Sequence, residues 1–223
     1  FMASLDNLVV TNALPVIRAD LGATLEELTW TVNAYTLTFA SCILMSSALA
    51  DRFGRRSVFL LGLFIFTASS AWCGISDNIG ALITARTLQG IGGSAVMPLS
   101  LALLSTSVPE RLRATAIGIW GGVAGLGVAL GPLIGGAVVE GMNWHAIFWI
   151  NVPFGLLCIP LVWTTIPESR GRPEPLDFPG LALVGIGLFG ITYGIVRGNE
   201  AGWTSLEVLT ALIGGVLILV SFI

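Results

Sequence analysis

The sequence predicts an all-α polytopic membrane protein, and its composition gives the first evidence. Hydrophobic residues make up 55% of the 223 residues, charged residues only 10%, and the mean hydropathy is +0.90. One water-soluble core could not bury that much apolar surface. Apolar runs of roughly 20 residues, the length that spans a bilayer as a helix, recur between short polar connections. Helices must form these spans because an unpaired backbone in lipid is too costly.

The apolar runs divide the chain into eight predicted helices. The first is partial and ends at about Ile17. The next five are expected near residues 30–50, 57–76, 80–106, 114–139 and 145–166. A seventh is expected over 177–197, and an eighth begins near residue 205. Pattern alone leaves these boundaries uncertain by about 2 to 4 residues.

The division into two parts follows from a polar, proline-rich stretch at residues 167–175. Such composition is typical of a linker. We therefore expect an N-terminal transmembrane bundle at 1–169, then a linker and two further helices at 170–223. The chain does not begin with methionine and both its ends lie in apolar runs, which indicates a fragment whose first and last helices are truncated.

The arginines predict the orientation, because basic residues concentrate in cytoplasmic loops. Seven of them follow the second, fourth and sixth predicted helices, whereas Arg18 and Arg197 lie on the other side. The first helix would then run outward from a cytoplasmic N-terminus, in a plasma membrane. The seven are Arg52, Arg55, Arg56, Arg111, Arg113, Arg170 and Arg172.

Several functional classes have no support in the sequence. All ten basic residues are arginine and form no stripe that would bind nucleic acid. The three cysteines lie inside apolar runs without metal-ligand spacing, so packing is their expected role. We find no metalloprotease or nucleophile-elbow motif and predict no enzyme. His145 is expected to be a surface residue at the outer interface.

Asp6 is an ionisable residue at a costly position. Its spacing from Arg18 places it near mid-bilayer, where insertion costs about 2.5 to 3.5 kcal/mol. Loss of water disfavours a carboxylate, which suits a group that binds and releases a proton in each cycle. The alternative is a structural carboxylate that is hydrogen-bonded to a neighbouring helix.

Arg86 lies inside the fourth predicted helix and needs an anionic partner or a wet cavity, because it stays charged. It is either an interfacial anchor or a residue that faces the same cavity as Asp6 and tunes that carboxylate. Gln89, one turn further along, would then point to the same face.

Glycines recur at a spacing of four in the fifth predicted helix, including Gly127, Gly131 and Gly135. This spacing lets two membrane helices approach closely, and a packing seam alone would explain it. Pro132 should interrupt the helical hydrogen bonds and permit bending.

The connection between the second and third helices is the third candidate region. Gly54 allows a tight reversal. Asp51 is unfavourably placed at the end of its own helix, so it should face another helix N-terminus or an arginine such as Arg113, forming a charge latch. The alternative for this connection is an anchor for topology only.

Three segments resemble motifs of the major facilitator superfamily. The sequence SALADRFGRR at 47–56, with Asp51, Arg52, Gly54, Arg55 and Arg56, resembles its signature loop. The fourth-helix motif is similar at Leu82, Arg86, Gln89, Gly90, Gly92 and Gly93. The fifth-helix antiporter motif is similar at 127–136, with Gly127, Gly131, Pro132, Gly135 and Gly136.

The first helix resembles one branch of that superfamily, the 14-span drug:proton antiporters. The matching segment is LDNLVVTNALP at 5–15, and the segment WHAIFWINVP at 144–153 also resembles this branch. The short linker before the seventh helix favours the same branch. Three departures are Ser47 for a glycine, Leu8 and Thr11 for a threonine and an asparagine, and His145-Ala146 for Arg-Trp.

The resemblance implies a major facilitator fold: an N-terminal six-helix bundle plus the start of an extra helix pair. Inverted repeats would place Asp6 and Arg86 in one central space. The implied activity is export of lipophilic drug-like molecules by alternating access, driven by a proton gradient without a cofactor. The implied substrate cavity includes Thr11, Tyr35, Gln89 and Trp120. The alternatives are a dedicated exporter of one metabolite or antibiotic, and a membrane receptor or assembly protein that does not transport.

Overall fold

The computed structural model describes residues 1–141, 143–171 and 177–222, and nearly all of them are helical. The helices follow the predicted order, except that one predicted helix is divided into two. They are α1 (Met2–Leu21), α2 (Leu25–Phe53), α3 (Arg55–Cys73), α4 (Ile79–Ser107), α5 (Glu110–Gly141), α6 (Ala146–Trp149), α7 (Asn151–Thr165), α8 (Phe178–Ala201) and α9 (Leu206–Phe222).

Length and composition make this a multi-pass membrane protein. Within the described ranges, six helical stretches are long and apolar enough to cross a bilayer: α2, α3, α4, α5, α8 and the combined α6–α7 stretch. The helix α9 is apolar but shorter. The predicted class, an all-α polytopic membrane protein, is therefore confirmed.

The helix α2 begins at Leu25, earlier than the predicted start near residue 30. Thr24 accepts a hydrogen bond from the Glu27 backbone N–H at 3.3 Å, and the Glu27 side chain accepts from the Thr24 backbone N–H at 2.8 Å. This reciprocal capping box satisfies two backbone donors at the helix start. Hydropathy missed the first turn because that turn contains Glu26 and Glu27.

The sixth predicted helix consists of α6 and α7, which meet at Ile150. The backbone of Ile150 is still α-helical, with φ −57° and ψ −38°. Pro153 has no N–H to donate to the carbonyl of Trp149, so a regular helical bond is missing directly after the junction. The two helices therefore form one span with a locally weakened hydrogen-bond ladder.

The helix α4 packs between α2 and α3 through glycines on opposite faces. A Cβ atom on Gly90 would lie 2.4 Å from the Tyr35 carbonyl oxygen in α2. A Cβ atom on Gly92 would lie 2.5 Å from the Phe66 backbone nitrogen in α3. Both contacts are too short for any side chain, so glycine permits the backbones to touch. This close packing fixes the position of Arg86 at the centre.

The glycines of α5 divide into two groups. Added Cβ atoms on Gly127, Gly131 and Gly135 would contact α1 at 2.7 to 3.3 Å, against residues such as Leu8 and Asn12. Added Cβ atoms on a second group would meet nothing within 4 Å: Gly118, Gly121, Gly122, Gly125 and Gly136. The packing seam predicted from spacing is thus present on the face towards α1. The helix continues through Pro132.

The helices α8 and α9 form a hairpin that packs on α2. Glycines hold the hairpin together: a Cβ atom on Gly215 would lie 2.7 Å from the Gly187 carbonyl oxygen. The ring of Tyr193 in α8 lies 6.1 Å from that of Trp30 in α2. Part of the predicted linker, residues 172–176, lies outside the described residues.

Two apolar clusters define the two ends of the bundle. One surrounds Trp144 and Phe148, and we call its side the Trp144 end. The other surrounds Phe59 and Leu103 beside the turn at Gly54, and we call its side the Gly54 end. The helix α1 begins at the Gly54 end and finishes at the Trp144 end, where Asp20 accepts a hydrogen bond from the Trp144 indole at 2.7 Å.

Candidate functional site

Asp6 of α1 and Arg86 of α4 form a buried ion pair. Arg86 NH1 donates a hydrogen bond to Asp6 Oδ2, and the Arg86 and Asp6 side chains are 0% and 1% exposed. Burying two charges costs several kcal/mol each, which their attraction offsets only with good geometry and further hydrogen bonds. The contact agrees with the expectation that the first and fourth helices face the same space.

Two amides complete the coordination of the Asp6 carboxylate. Gln89 Nε2 and Asn151 Nδ2 each donate to Asp6 Oδ1 at 2.9 Å. Asn151 Nδ2 also donates to Ser70 Oγ at 3.1 Å. These five residues, Asp6, Ser70, Arg86, Gln89 and Asn151, are called the Asp6 cluster. Each is at most 3% exposed.

Arg86 has further contacts with α2. Its Nε donates to the Thr31 carbonyl oxygen at 3.2 Å, and its guanidinium lies 4.4 Å from the centre of the Tyr35 ring. A cation over an aromatic face is attracted to the electron density of the ring. NH2 of Arg86 has no hydrogen-bond partner among the residues that the structure describes. The arginine is therefore enclosed inside the bundle and is not an interfacial anchor that reaches solvent.

The other predicted cavity residues lie elsewhere. Thr11 is exposed and its hydroxyl donates to the Asn7 carbonyl oxygen of its own helix at 3.0 Å. Trp120 of α5 donates from its indole to Ser100 Oγ at 3.0 Å. It lines an apolar cavity of about 440 Å³ that also contacts Phe59, Met97 and Phe154. The structure thus groups Tyr35 and Gln89 with the ion pair and places Thr11 and Trp120 apart from it.

The turn between α2 and α3 is closed by Glu168, which follows α7. Gly54 has φ +113°, a conformation that favours glycine, and a Cβ atom there would lie 2.5 Å from the Glu168 carboxyl carbon. Glu168 accepts hydrogen bonds from the backbone N–H groups of Arg56 at 2.9 Å and Ser57 at 3.1 Å. These donors belong to the first turn of α3 and have no partner within the helix. Glu168 therefore caps α3.

The arginines of this turn also contact α7 and α2. Arg56 NH1 donates to the Ile166 carbonyl oxygen at 3.0 Å, and its guanidinium lies 5.2 Å from the centre of the Trp163 ring. Arg55 pairs with Asp51 at 2.8 Å. We call this set the Gly54 network; its members are Asp51, Gly54, Arg55, Arg56, Ser57, Trp163, Ile166 and Glu168.

The expected contact between Asp51 and Arg113 is not formed in this conformation. The Asp51 carboxylate pairs with Arg55, which lies one helical turn away. The Arg113 guanidinium donates from Nε to the Ser105 carbonyl oxygen at 3.1 Å, near the end of α4. Arg113 is held there because a carbonyl at a helix C-terminus attracts a cation. Arg52 lies over the ring of Phe53, at 5.9 Å from its centre.

The surroundings of Glu168 shift the pKa of its carboxyl. Burial acts to raise this pKa, but hydrogen bonds from the Ser57 hydroxyl and the backbones of Arg56, Ser169 and Ser57 outweigh it. The pKa therefore lies below its ordinary value, since these donors stabilise the charged form. Glu168 thus stays a carboxylate at neutral pH.

Sequence reasoning missed Asn151, Ser70 and Glu168 as members of these sites. Asn151 offered a signal, because an amide inside an apolar span needs a partner. Glu168 gave none, because its position in a polar linker is ordinary for a glutamate. Cys73, expected to be a packing residue, is buried with its Sγ 3.7 Å from Gln89 Oε1. No group of three or more potential metal ligands occurs in the described part of the chain.

Comparison with known proteins identifies the class to which this fold belongs. The family model described as Major Facilitator Superfamily matches residues 1–223, so the chain belongs to that superfamily. The chain is 37% identical to the tetracenomycin C resistance and export protein of Streptomyces glaucescens, covering 99% of this chain and 41% of that protein. It is 39% identical to the methylenomycin A resistance protein of Bacillus subtilis, covering 100% of this chain and 48% of that protein.

A solved structure supports the fold. The chain resembles a peptide transporter of the POT family in complex with sulfate, with a TM-score of 0.67, 18% identity and coverage of 99% of this chain and 49% of that chain. At this identity the likeness shows the major facilitator fold alone. The chain spans less than half of the length of each of these three proteins.

Proposed function

We propose that the complete protein is a proton-coupled exporter of lipophilic drug-like compounds, and that Asp6 is the group that binds the proton. The observation that carries this proposal is a carboxylate buried inside a membrane bundle and paired with Arg86. Ionisable residues in such places are rare and mark ion or substrate pathways. Of the relatives named above, one is described as a resistance and export protein and the other as a resistance protein.

The proposed cycle couples the charge of Asp6 to the arrangement of the helices. In the conformation described here the carboxylate accepts three hydrogen bonds, and each of the three neighbouring groups faces it as a donor. A proton on Asp6 removes its attraction for Arg86, so the packing of α1 against α4 weakens. Protonation from outside would then release the substrate and reset the transporter, which is alternating access.

The Gly54 network supplies the second element of the proposal. We place it on the cytoplasmic side of the plasma membrane, because the arginines concentrate at this end. Its contacts join α2, α3 and the end of α7, and several of them are partly exposed. Such contacts can break and re-form as the cytoplasmic side opens and closes.

The branch with 14 spans agrees best with the short distance between α7 and α8. The helix α7 ends at Thr165 and α8 already begins at Phe178. A hairpin of two further helices, α8 and α9, then packs against α2. This arrangement supports the extra helix pair of the 14-span drug:proton antiporters.

The apolar cavity beside Trp120 supports a lipophilic substrate, cationic or neutral. Its lining combines aromatic rings with Met97 and offers two hydroxyls, Ser4 and Ser100, of which Ser100 already accepts from Trp120. A second candidate function is export of one dedicated antibiotic. It is favoured by relatives that are named for resistance to a single compound, tetracenomycin C or methylenomycin A.

Transport by the complete protein in liposomes tests the proposal. A pH gradient should drive efflux of a fluorescent lipophilic cation by the wild type, and Asp6→Asn should abolish the gradient-driven component. Exchange of labelled for unlabelled substrate without a gradient should persist, because exchange needs no net proton movement. A panel that includes neutral compounds and single antibiotics separates the multidrug exporter from the dedicated one.

Asp77→Asn is the matched control, because Asp77 is an exposed carboxylate in the α3–α4 connection. This variant should transport like the wild type. Full gradient-driven efflux by Asp6→Asn would refute the role of Asp6.

A further inference from the structure

The hydrogen bonds around Asp6 have directions that the structure determines. Arg86 offers only donors, so Asp6 Oδ2 accepts. Gln89 Oε1 accepts from Arg86 NH1 at 2.8 Å, which leaves the Gln89 amide nitrogen facing Asp6. The cluster therefore surrounds a deprotonated carboxylate with donors. A protonated Asp6 needs a new acceptor, because its hydroxyl cannot share a hydrogen bond with another donor.

Gln89 cannot supply that acceptor. If its amide turned over, the nitrogen would face Arg86 NH1, and two donors would meet in the buried core. The turn would also lose the contact between Cys73 Sγ and Gln89 Oε1 at 3.7 Å. Burial makes an unmatched polar pair costly, so the ion pair fixes the orientation of Gln89.

Asn151 is free of this constraint. Its Nδ2 donates to Asp6 Oδ1 at 2.9 Å and to Ser70 Oγ at 3.1 Å, and neither partner is a cation. The Ser70 hydroxyl donates a hydrogen bond to the Phe148 carbonyl oxygen at 2.9 Å. A hydroxyl can rotate and reverse its role as donor or acceptor, whereas a carbonyl only accepts. The hydrogen bonds from Asp6 through Asn151 to Ser70 can therefore reverse direction if Ser70 leaves the Phe148 carbonyl.

We propose that Asn151 is the positioning residue that responds when Asp6 takes up a proton. Its amide turns so that Oδ1 accepts the hydrogen bond of the protonated carboxyl. Ser70 then donates to Asn151 Oδ1 and leaves the Phe148 carbonyl. The only covalent change is the new O–H bond on Asp6. Asn151 exchanges two donated hydrogen bonds for two accepted ones, and the bond from Ser70 to the Phe148 carbonyl is lost.

This series of hydrogen bonds connects Asp6 to the junction between α6 and α7, where the helical hydrogen bonding is incomplete. Asn151 begins α7, and Phe148 lies in α6, on the other side of Ile150. The bond from Ser70 to Phe148 ties α6 to α3, and Pro153 already leaves the ladder incomplete at this junction. Release of that bond would allow α6 to move relative to α7 and so transmit the protonation of Asp6 towards the Trp144 end.

The titratable groups that face the cluster come from three helices: Arg86 from α4, Tyr35 from α2 and Cys73 from α3. Each remains in place in the variants used below. The inference rests on the proposed proton exchange at Asp6, so the experiment must separate the two.

Infrared difference spectroscopy of the complete protein in lipid, recorded during acidification, makes this separation. The carboxyl band of protonated Asp6 is identified by its loss in Asp6→Asn. In wild type the protonated carboxyl donates to Asn151 Oδ1, which holds its band at a lowered frequency. Asn151→Leu removes this acceptor at similar volume, so the band should move to the higher frequency of a carboxyl that donates no hydrogen bond. Ser70→Ala keeps the acceptor, so its band should stay at the lowered frequency.

Ser46→Ala is the matched control. Ser46 shares a buried hydrogen bond with Ser94 at 2.9 Å, between α2 and α4, and lies outside the Asp6 cluster. It should leave the frequency of the Asp6 carboxyl band unchanged, so a general loss of one buried hydrogen bond cannot mimic the effect.

The outcomes separate the two proposals. If the wild type shows no band that depends on Asp6, the proposed function fails and this inference fails with it. If the band is present but has the same frequency in Asn151→Leu as in wild type, the role of Asn151 is overturned and the function of Asp6 stands. Should Asn151→Leu not fold, a wild-type band at the frequency of a carboxyl that donates no hydrogen bond overturns the inference by itself.

Discussion

The Asp6 cluster and the Gly54 network use the same chemical groups in different surroundings. Both contain an arginine that pairs with an aspartate. The Arg86–Asp6 pair is 0% and 1% exposed, whereas the Arg55 and Asp51 side chains are 26% and 48% exposed. Water screens the second pair and supplies alternative partners for both of its charges, but the first pair has only the protein around it.

The fold is therefore fixed at the buried pair and can change at the exposed one. A buried charge that loses its partner has no solvent to replace it, so each member of the Asp6 cluster depends on the others. An exposed pair contributes only about 0 to 1 kcal/mol. The Gly54 network is therefore held mainly by Glu168 on the start of α3 and by the contacts of Arg56 with α7.

The largest effect is expected when the buried pair is broken from one side. Arg86→Gln leaves the Asp6 carboxylate buried without its cation, which should destabilise the protein by about 3 to 5 kcal/mol. Thermal unfolding in mild detergent measures the loss. The double variant Asp6→Asn with Arg86→Gln removes both charges and should recover most of the stability without recovering transport.

An Arg86→Gln protein as stable as the wild type would show that breaking the buried pair costs no more stability than breaking the exposed one. Equal stability of the single and double variants would also argue against coupling between the charges.

The seam between α1 and α5 holds in place the helix that carries Asp6. A Cβ atom on Gly131 would lie 2.7 Å from the Leu8 Cβ atom, whereas one on Gly122 would meet nothing within 4 Å. Gly131→Ala should therefore cost about 1 to 3 kcal/mol relative to Gly122→Ala. Both variants change the helix propensity equally, so their difference in melting temperature isolates the contact with α1.

A melting temperature that falls equally in both glycine variants would contradict this reading of the seam. It would mean that α5 loses stability for a reason unrelated to the packing of α1.

A smaller effect is expected at the Gly54 network. Glu168→Gln weakens the cap on α3 and should cost about 1 kcal/mol, the usual value of a helix cap. Asp51→Asn, which affects the exposed pair, should cost less than about 1 kcal/mol. Thermal unfolding measures the loss of stability in both variants. A larger loss for Asp51→Asn would mean that Asp51, and not Glu168, closes this turn.

The smallest effect is the pH dependence of the Glu168 cap. The pKa of this carboxyl is lowered in the folded protein, so its stabilising contribution is complete above the ordinary pKa of an unfolded glutamate. The contribution is lost as the pH falls through the lowered value, because the protonated carboxyl accepts the backbone N–H groups less well. The stability difference between wild type and Glu168→Gln should shrink in that acidic range. An increase of this difference there would contradict a lowered pKa of Glu168.

The fold was largely predictable because hydropathy reports directly on membrane spans. The capping box at Thr24 shows what hydropathy cannot see, since a polar first turn lies outside any apolar window. The division at Ile150 was missed for a related reason: Trp149 and Ile150 continue the apolar run, and only Pro153 indicates the missing bond.

The candidate site was predictable only in part. Asp6 and Arg86 stand out because charges inside apolar runs are costly, and the resemblance placed their helices together. Asn151 and Glu168 required the structure, because their roles depend on partners distant in sequence: Asp6 and Ser57. The expected Asp51–Arg113 contact failed in this conformation because Arg55, on the next turn, offers a closer cation.

Proton movement by the complete protein in liposomes tests whether Asp6 carries the proton. A substrate gradient is imposed across the membrane, and the proton movement that it drives in wild type and in Asp6→Asn is compared with a pH-sensitive dye. We expect wild type to move protons opposite to the substrate and Asp6→Asn to move none, since only the carboxylate can bind and release a proton. Equal proton movement by the two proteins would mean that Asp6 does not carry the proton, and the Asp6–Arg86 pair would then be a structural feature of the bundle.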